Sequence, residues 1–162
     1  MGNYGYIWGM RPKSDKVEFS SEKAIYTMCE YLDSDMEKYP ENEEGNVLGI
    51  VVHDYIAKYV GKLYDGSIPY ERMDRRVFRM IWEHKKAMYE RIQCIERELG
   101  MDDSLSNEYE KLVAESNTMR MLYASHHMKQ RNSVLPIIQK KLLKVKENEE
   151  VLLNKLIKTA RG

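Results

Sequence analysis

Helix breakers are scarce in this chain, with four prolines and nine glycines among 162 residues. So few over such a length disfavour a fold of many short strands and favour long helices. Long apolar runs are missing as well. No stretch approaches the roughly 20 residues needed to cross a bilayer as a helix. The first residues lack the basic start and apolar centre of a secretory signal. Tyr6 stands where a myristoylation signal needs serine or threonine, which argues against lipidation. Cysteine is nearly absent: Cys29 and Cys94 form no C-x-x-C pair and read as reduced thiols of a cytoplasmic protein. Net charge is absent too, because 26 basic residues balance 26 acidic ones. A dedicated nucleic-acid binder usually carries a clear basic excess. Neither a glycine-rich phosphate loop nor a G-x-S-x-G elbow occurs. The expectation is therefore no catalytic residues, no cofactor, no metal and no membrane.

The residues present are 43% hydrophobic and 32% charged, the balance of an ordinary soluble domain with one core. They predict an all-α fold, a bundle of about five helices over residues 20–162. A short aromatic N-terminal arm, residues 1–19, precedes it and can run extended around Tyr4, Tyr6 and Trp8. Ser20 caps the first helix, which buries Ile25, Met28, Leu32 and Met36 and stops before Pro40. The second, from about Asn46 to Tyr64, is apolar over most of its circumference and should be the most buried. A long third helix runs from about Pro69 to Leu99. Its seam is Tyr70, Met73, Val77, Ile81, His84, Met88, Ile92, Ile95 and Leu99, with His84 read as a hydrogen-bonded core histidine.

Beyond Gly100, Asp102 to Ser106 offers caps for a fourth helix. Its inward face is Leu105, Tyr109, Leu112, Ser116, Met119, Tyr123 and His126. Ser133 caps a fifth helix with Pro136 in its first turn. The fifth seam is Leu135, Ile138, Leu142, Val145, Glu149, Leu152, Leu156 and Ala160, close to a heptad alternation. Glu149 interrupts it, either fixing register or marking a ragged seam. Charge is uneven along the chain. Residues 20–45 carry eight carboxylates against two lysines, whereas residues 118–162 carry ten cations against three carboxylates.

The strongest functional signal lies on the third helix. Arg72, Arg75, Arg76 and Arg79, continued by Lys86, stack opposite its apolar seam, with Phe78, Trp82 and Tyr89 between. Guanidinium forks beside aromatic rings suit an anionic partner, phosphate or carboxylate. The expected partner-binding residues are Arg72, Arg75, Arg76, Arg79, Trp82, Lys86 and Tyr89. Two blander readings compete. In one, the arginines pair inside the bundle with Glu30, Asp33 and Glu37; in the other, local pairs such as Glu71–Arg75 and Lys86–Glu90 lace a solvated face.

Three functions follow. The leading one is a non-enzymatic interaction or regulatory protein that docks on a protein or nucleoprotein complex. In general profile the chain resembles small phage- and mobile-element-encoded proteins, which implies an inhibitor or adaptor of a host complex. Direct nucleic-acid binding through the arginines and the basic C-terminal helix is the second. The third is a metal-dependent phosphohydrolase, with a metal on the acidic face around Asp33 and Asp54. His53-Asp54 resembles the dyad of metal-dependent phosphohydrolases, but reads better as a surface pair on the less apolar side of its helix. His126 and His127 are adjacent, splay about 100° apart and cannot chelate together. Met80, Met121 and Met128 lie at the edge of, or away from, their seams; another helix of the bundle packing over them is the first reading and an adaptable contact surface the second. A homodimer through the fourth or fifth helix is the expected assembly.

Overall fold

The computed structural model describes residues 18–34 and 47–161. Residues 1–17 of the predicted aromatic arm, Met36, Glu37 and Pro40 fall outside these residues. Five α-helices make up the described chain, and it contains no strand: α1 (Ser21–Asp33), α2 (Val52–Tyr64), α3 (Val77–Leu99), α4 (Ser104–Lys129) and α5 (Leu135–Arg161). No helix is long and apolar enough to cross a membrane among the described residues.

Helices α3, α4 and α5 run up, down and up. Gly100, at φ 64°, closes α3 in the left-handed conformation that glycine adopts without penalty, and Gln130 at φ 49° does the same for α4. Helix α1 packs on α3 and α5, and α2 packs on α5. The two run in the same direction and together act as a broken fourth helix. Their junction is tied where Ile50 N–H donates to the Tyr31 carbonyl at 2.8 Å. Gly49 sits there at φ 74°. A Cβ on it would lie 2.5 Å from both Ser34 Oγ and the Tyr31 carbonyl oxygen, so only glycine fits.

Several expectations hold residue by residue. The seven predicted inward residues of α4 are all buried, and Leu135 through Leu156 bury along the predicted fifth seam. Ser20 caps α1 by accepting from Lys23 N–H.

Other expectations need correction. Helix α2 begins at Val52, after the Gly49 turn. Its buried face is His53, Ala57, Val60 and Leu63, leaving Tyr55 and Tyr64 exposed. His53 is thus a core residue, not half of a surface pair. Helix α3 begins at Val77, not Pro69. A 3-10 turn, Tyr70–Arg72, comes first, and Asp74 Oδ1 then accepts the Arg76 N–H at 2.9 Å. That side-chain bond competes with helix formation and delays the start. Lys85 occupies the seam position given to His84, which lies exposed with its ring tilted against Tyr31. Leu99 is exposed as well. Finally, the cap of α4 is only partly local: Asp102 Oδ1 accepts Ser104 N–H at 3.2 Å, and the remaining caps come from α3. Buried Glu96 Oε1 accepts Leu105 N–H and Ser106 N–H, each at 3.0 Å, and the Asp103 side chain makes no capping bond.

The core is two apolar halves. One gathers Met28, Met88, Ile92, Ile95, Leu105, Leu153 and Leu156. The other gathers Val60, Phe78, Met119, Leu135, Ile138 and Leu142. A polar layer separates them, and each helix contributes one residue to it: Tyr31, His53, Lys85, Tyr109 and Glu149.

Candidate interaction surface

The exposed arginines do not form a single helical row. Arg72 ends the 3-10 turn, Arg75 and Arg76 lie in the following turn, and only Arg79 and Lys86 stand on α3. The four guanidiniums at helical spacing are therefore replaced by a turn presenting arginines ahead of the helix. That turn is firmly held. Tyr59 Oη accepts the Asp74 N–H at 2.7 Å, and Tyr123 Oη donates to the Asp74 carbonyl at 2.9 Å. Helices α2 and α4 thus fix the backbone beside Arg75 and Arg76.

Two of the arginines are partnered locally. Arg76 Nε meets Asp74 Oδ1 at 3.1 Å, and Arg79 Nε meets Glu83 Oε1 at 2.8 Å. Hydrogen bonds from Arg76 hold the Asp74 carboxyl below its ordinary range. Both pairs are solvent-exposed and contribute little to stability. Neither the Glu71–Arg75 nor the Lys86–Glu90 pair forms, and Arg76 and Arg79 do not reach across to α1. Glu37 lies outside the described residues. Arg72 and Arg75 are exposed and make no ion pair among the described residues.

The three aromatics divide. Phe78 is core, 1% exposed, with its ring 4.7 Å from that of Tyr123; it is not available to a partner. Tyr89 packs half-buried against the core, its hydroxyl accepting from Gln93 at 2.8 Å. Trp82 belongs to neither core half. Its half-buried ring has the Lys86 ammonium at 5.1 Å and the Arg120 guanidinium, from α4, at 4.7 Å. Cations at these distances over an indole are attracted by its π face. Asn117 Oδ1 orients Arg120 by accepting two of its N–H groups, at 3.0 and 2.8 Å. Sequence reasoning missed Arg120, because nothing in the α4 pattern ties it to α3. Met121 beside it is 58% exposed, and Met80 and Met128 are exposed too.

The interior holds the other concentration of chemistry. Glu149 is fully buried and accepts from Lys85 Nζ at 2.5 Å, from Tyr31 Oη at 3.0 Å, and from Tyr109 Oη. Burial pushes the Glu149 carboxyl up, but the Lys85 charge, with His53 and the donated hydrogen bonds, outweighs it and leaves the group ionised. Burial lowers Lys85 from its ordinary value, opposed by Glu149. His53 Nδ1 lies 2.8 Å from the Ile50 carbonyl, which makes that nitrogen the donor. Its Nε2 stands 3.7 Å from Glu149 without a hydrogen-bond partner. Burial and the Lys85 charge lower His53 to about 4. The polar interruption at Glu149 is thus a hub joining all five helices.

The phosphohydrolase constellation does not assemble around His53 and Asp54. His53 faces the hub, and Asp54 pairs with Lys146 Nζ at 2.7 Å. No group of three or more potential metal ligands occurs among the described residues. No family model, curated protein or solved structure matches this chain.

Proposed function

We propose that this chain is a non-enzymatic interaction protein that docks on an anionic surface of a macromolecular partner, a protein or nucleoprotein complex in the cytoplasm. Its docking face is centred on Trp82 and bordered by Arg72, Arg75, Arg76, Arg79, Lys86 and Arg120. The observation that carries this reading is Trp82 itself. It is a half-buried indole outside both core halves, flanked by cations from α3 and α4 and beside a turn pinned by two tyrosines. A rigid aromatic with Arg neighbours is the composition of an interface anchor. Six cations there face Glu71, Asp74, Glu83 and Glu90 nearby in sequence, so the patch keeps a positive excess. The exposed methionines supply adaptable apolar contact. Inhibition or redirection of the bound complex is the regulatory outcome that such a small docking protein would exert.

Charge reversal tests this. Arg75→Glu with Arg79→Glu changes two exposed side chains, so melting temperature should hold while capture of the partner from nuclease-treated lysate falls at least about tenfold. Undiminished capture by the double variant would refute the face. Direct nucleic-acid binding is the second reading, favoured by Arg72 and Arg75, which make no ion pair among the described residues. It predicts affinity for bare DNA or RNA that drops steeply with salt, with a shallower slope in the double variant.

A further inference from the structure

A second surface lies on the other side of α4. Helices α4 and α5 leave between them a groove of about 430 Å³, floored by Leu112 and Val145. A shallower trough of about 290 Å³ shares Leu112 and Asn148 with it and extends it to Val151 and Leu152. On α5 this stripe runs from Ile137 to Leu152, about 22 Å at helical rise, enough to seat four turns of another helix. Apolar side chains stand exposed at its two ends, Ile137 at 50% and Val151 at 66%.

The rims are basic. Lys140, Lys141 and Lys144 line one side on α5, and Lys111 stands on α4. The carboxylates of the groove are already engaged, Glu115 with Lys141 at 2.7 Å and Glu108 with Lys155 at 3.7 Å. Lys111 and Lys140 make no ion pair among the described residues. We propose that this groove docks an acidic amphipathic helix of a partner protein, whose apolar stripe packs on Ile137 and Val151 across the Leu112–Val145 floor while its carboxylates meet the lysine rims. Helix-in-groove recognition reads such a segment through anchors at i, i+3 or i+4, and i+7. A second copy of this chain is the poorer occupant, because two-fold pairing would set lysine row against lysine row. The inference is independent of the Trp82 face and would make the chain a two-sided adaptor.

The probe is a fluorescein-labelled 15-residue helical peptide with leucines at i, i+4, i+7 and i+11 flanked by glutamates. Its control carries lysines in their place. Fluorescence anisotropy at low salt should show saturable binding of the acidic peptide alone. Lys140→Glu with Lys144→Glu should weaken it at least about tenfold, and Val151→Asp should weaken it several-fold. Arg75→Glu with Arg79→Glu should leave it unchanged, which separates failure here from failure of the Trp82 face. The proposal is overturned if the acidic peptide fails to bind, if the lysine peptide binds equally, or if the groove variants bind as wild type does. It is overturned equally if an oligonucleotide competes through Lys140 and Lys144, or if wild type dimerises and Lys140→Glu with Lys144→Glu abolishes the dimer.

Discussion

Replacing Lys85 by methionine interrogates the polar layer most sharply. Methionine roughly fills the space of a side chain that is fully buried, so packing is nearly conserved and the change is one of charge. Glu149 would keep its bonds from Tyr31 and Tyr109 but lose the cation on Oε2. Leaving one member of a buried ion pair alone costs about 3–5 kcal/mol. For a chain of this size that corresponds to a fall in melting temperature of about 2–4 °C per kcal/mol. Adding Glu149→Leu removes the stranded charge. The remaining debt is chiefly the hydroxyl of Tyr109, fully buried, at about 1–3 kcal/mol. The double variant should therefore be more stable than Lys85→Met alone, a non-additivity that identifies a coupled pair. Urea unfolding followed by circular dichroism measures wild type, Lys85→Met, Glu149→Leu and the double variant. The reasoning is refuted if Lys85→Met costs less than about 1 kcal/mol, or if the two single losses simply add.

Three further outcomes follow from the same structure. An unfolded histidine takes up a proton near pH 6.5, whereas folded His53 resists until about pH 4. Stability present above pH 6.5 should therefore be lost as pH falls through that window, by roughly 3 kcal/mol at most, with His53→Asn flattening the fall; an unchanged acid limb in that variant would exclude His53 as its source. Gly49→Ala should cost about 2 kcal/mol or more by urea unfolding, whereas Gly100→Ala, with open space around its Cβ, should cost only about 1 kcal/mol. Equal losses would show that the close approach to Tyr31 and Ser34 does not matter. Glu96→Ala should cost about 2 kcal/mol and Asp103→Ala less than about 0.5 kcal/mol, and the reverse order would return the α4 cap to the local residue.

The helical class, α4's inward face and most of the α5 seam were legible because apolar spacing along each helix reports burial directly. The start of α3 was not. Arg72 to Arg79 has helical spacing whether or not the backbone is helical, and the deciding feature was Asp74, whose side chain can take up the Arg76 N–H. Burial of Lys85 and His53 escaped because apolar spacing phased the α3 seam through His84 and left His53 on the less apolar side of its helix. A usable signal existed at one point only: Glu149 sat squarely on a seam, and a carboxylate buried there needs a cation or hydrogen-bond donors from the neighbouring helices. Searching α3 for a cation one turn beyond Ile81 finds Lys85. At the candidate docking face, Arg72, Arg75, Arg76, Arg79, Trp82 and Lys86 are exposed or half-buried, Phe78 went to the core, and Arg120 arrived from a helix that only tertiary packing brings near.

Trp82→Ala provides the most direct measurement of the docking face. Wild type and variant, each tagged, are incubated with nuclease-treated lysate of the source cell, and retained protein is quantified beside a melting curve. The account predicts an unchanged cooperative fold, since Trp82 lies outside both core halves, together with loss of the partner that wild type retains. A variant that unfolds would place Trp82 in the core. One that folds and retains the partner undiminished would contradict the docking face itself.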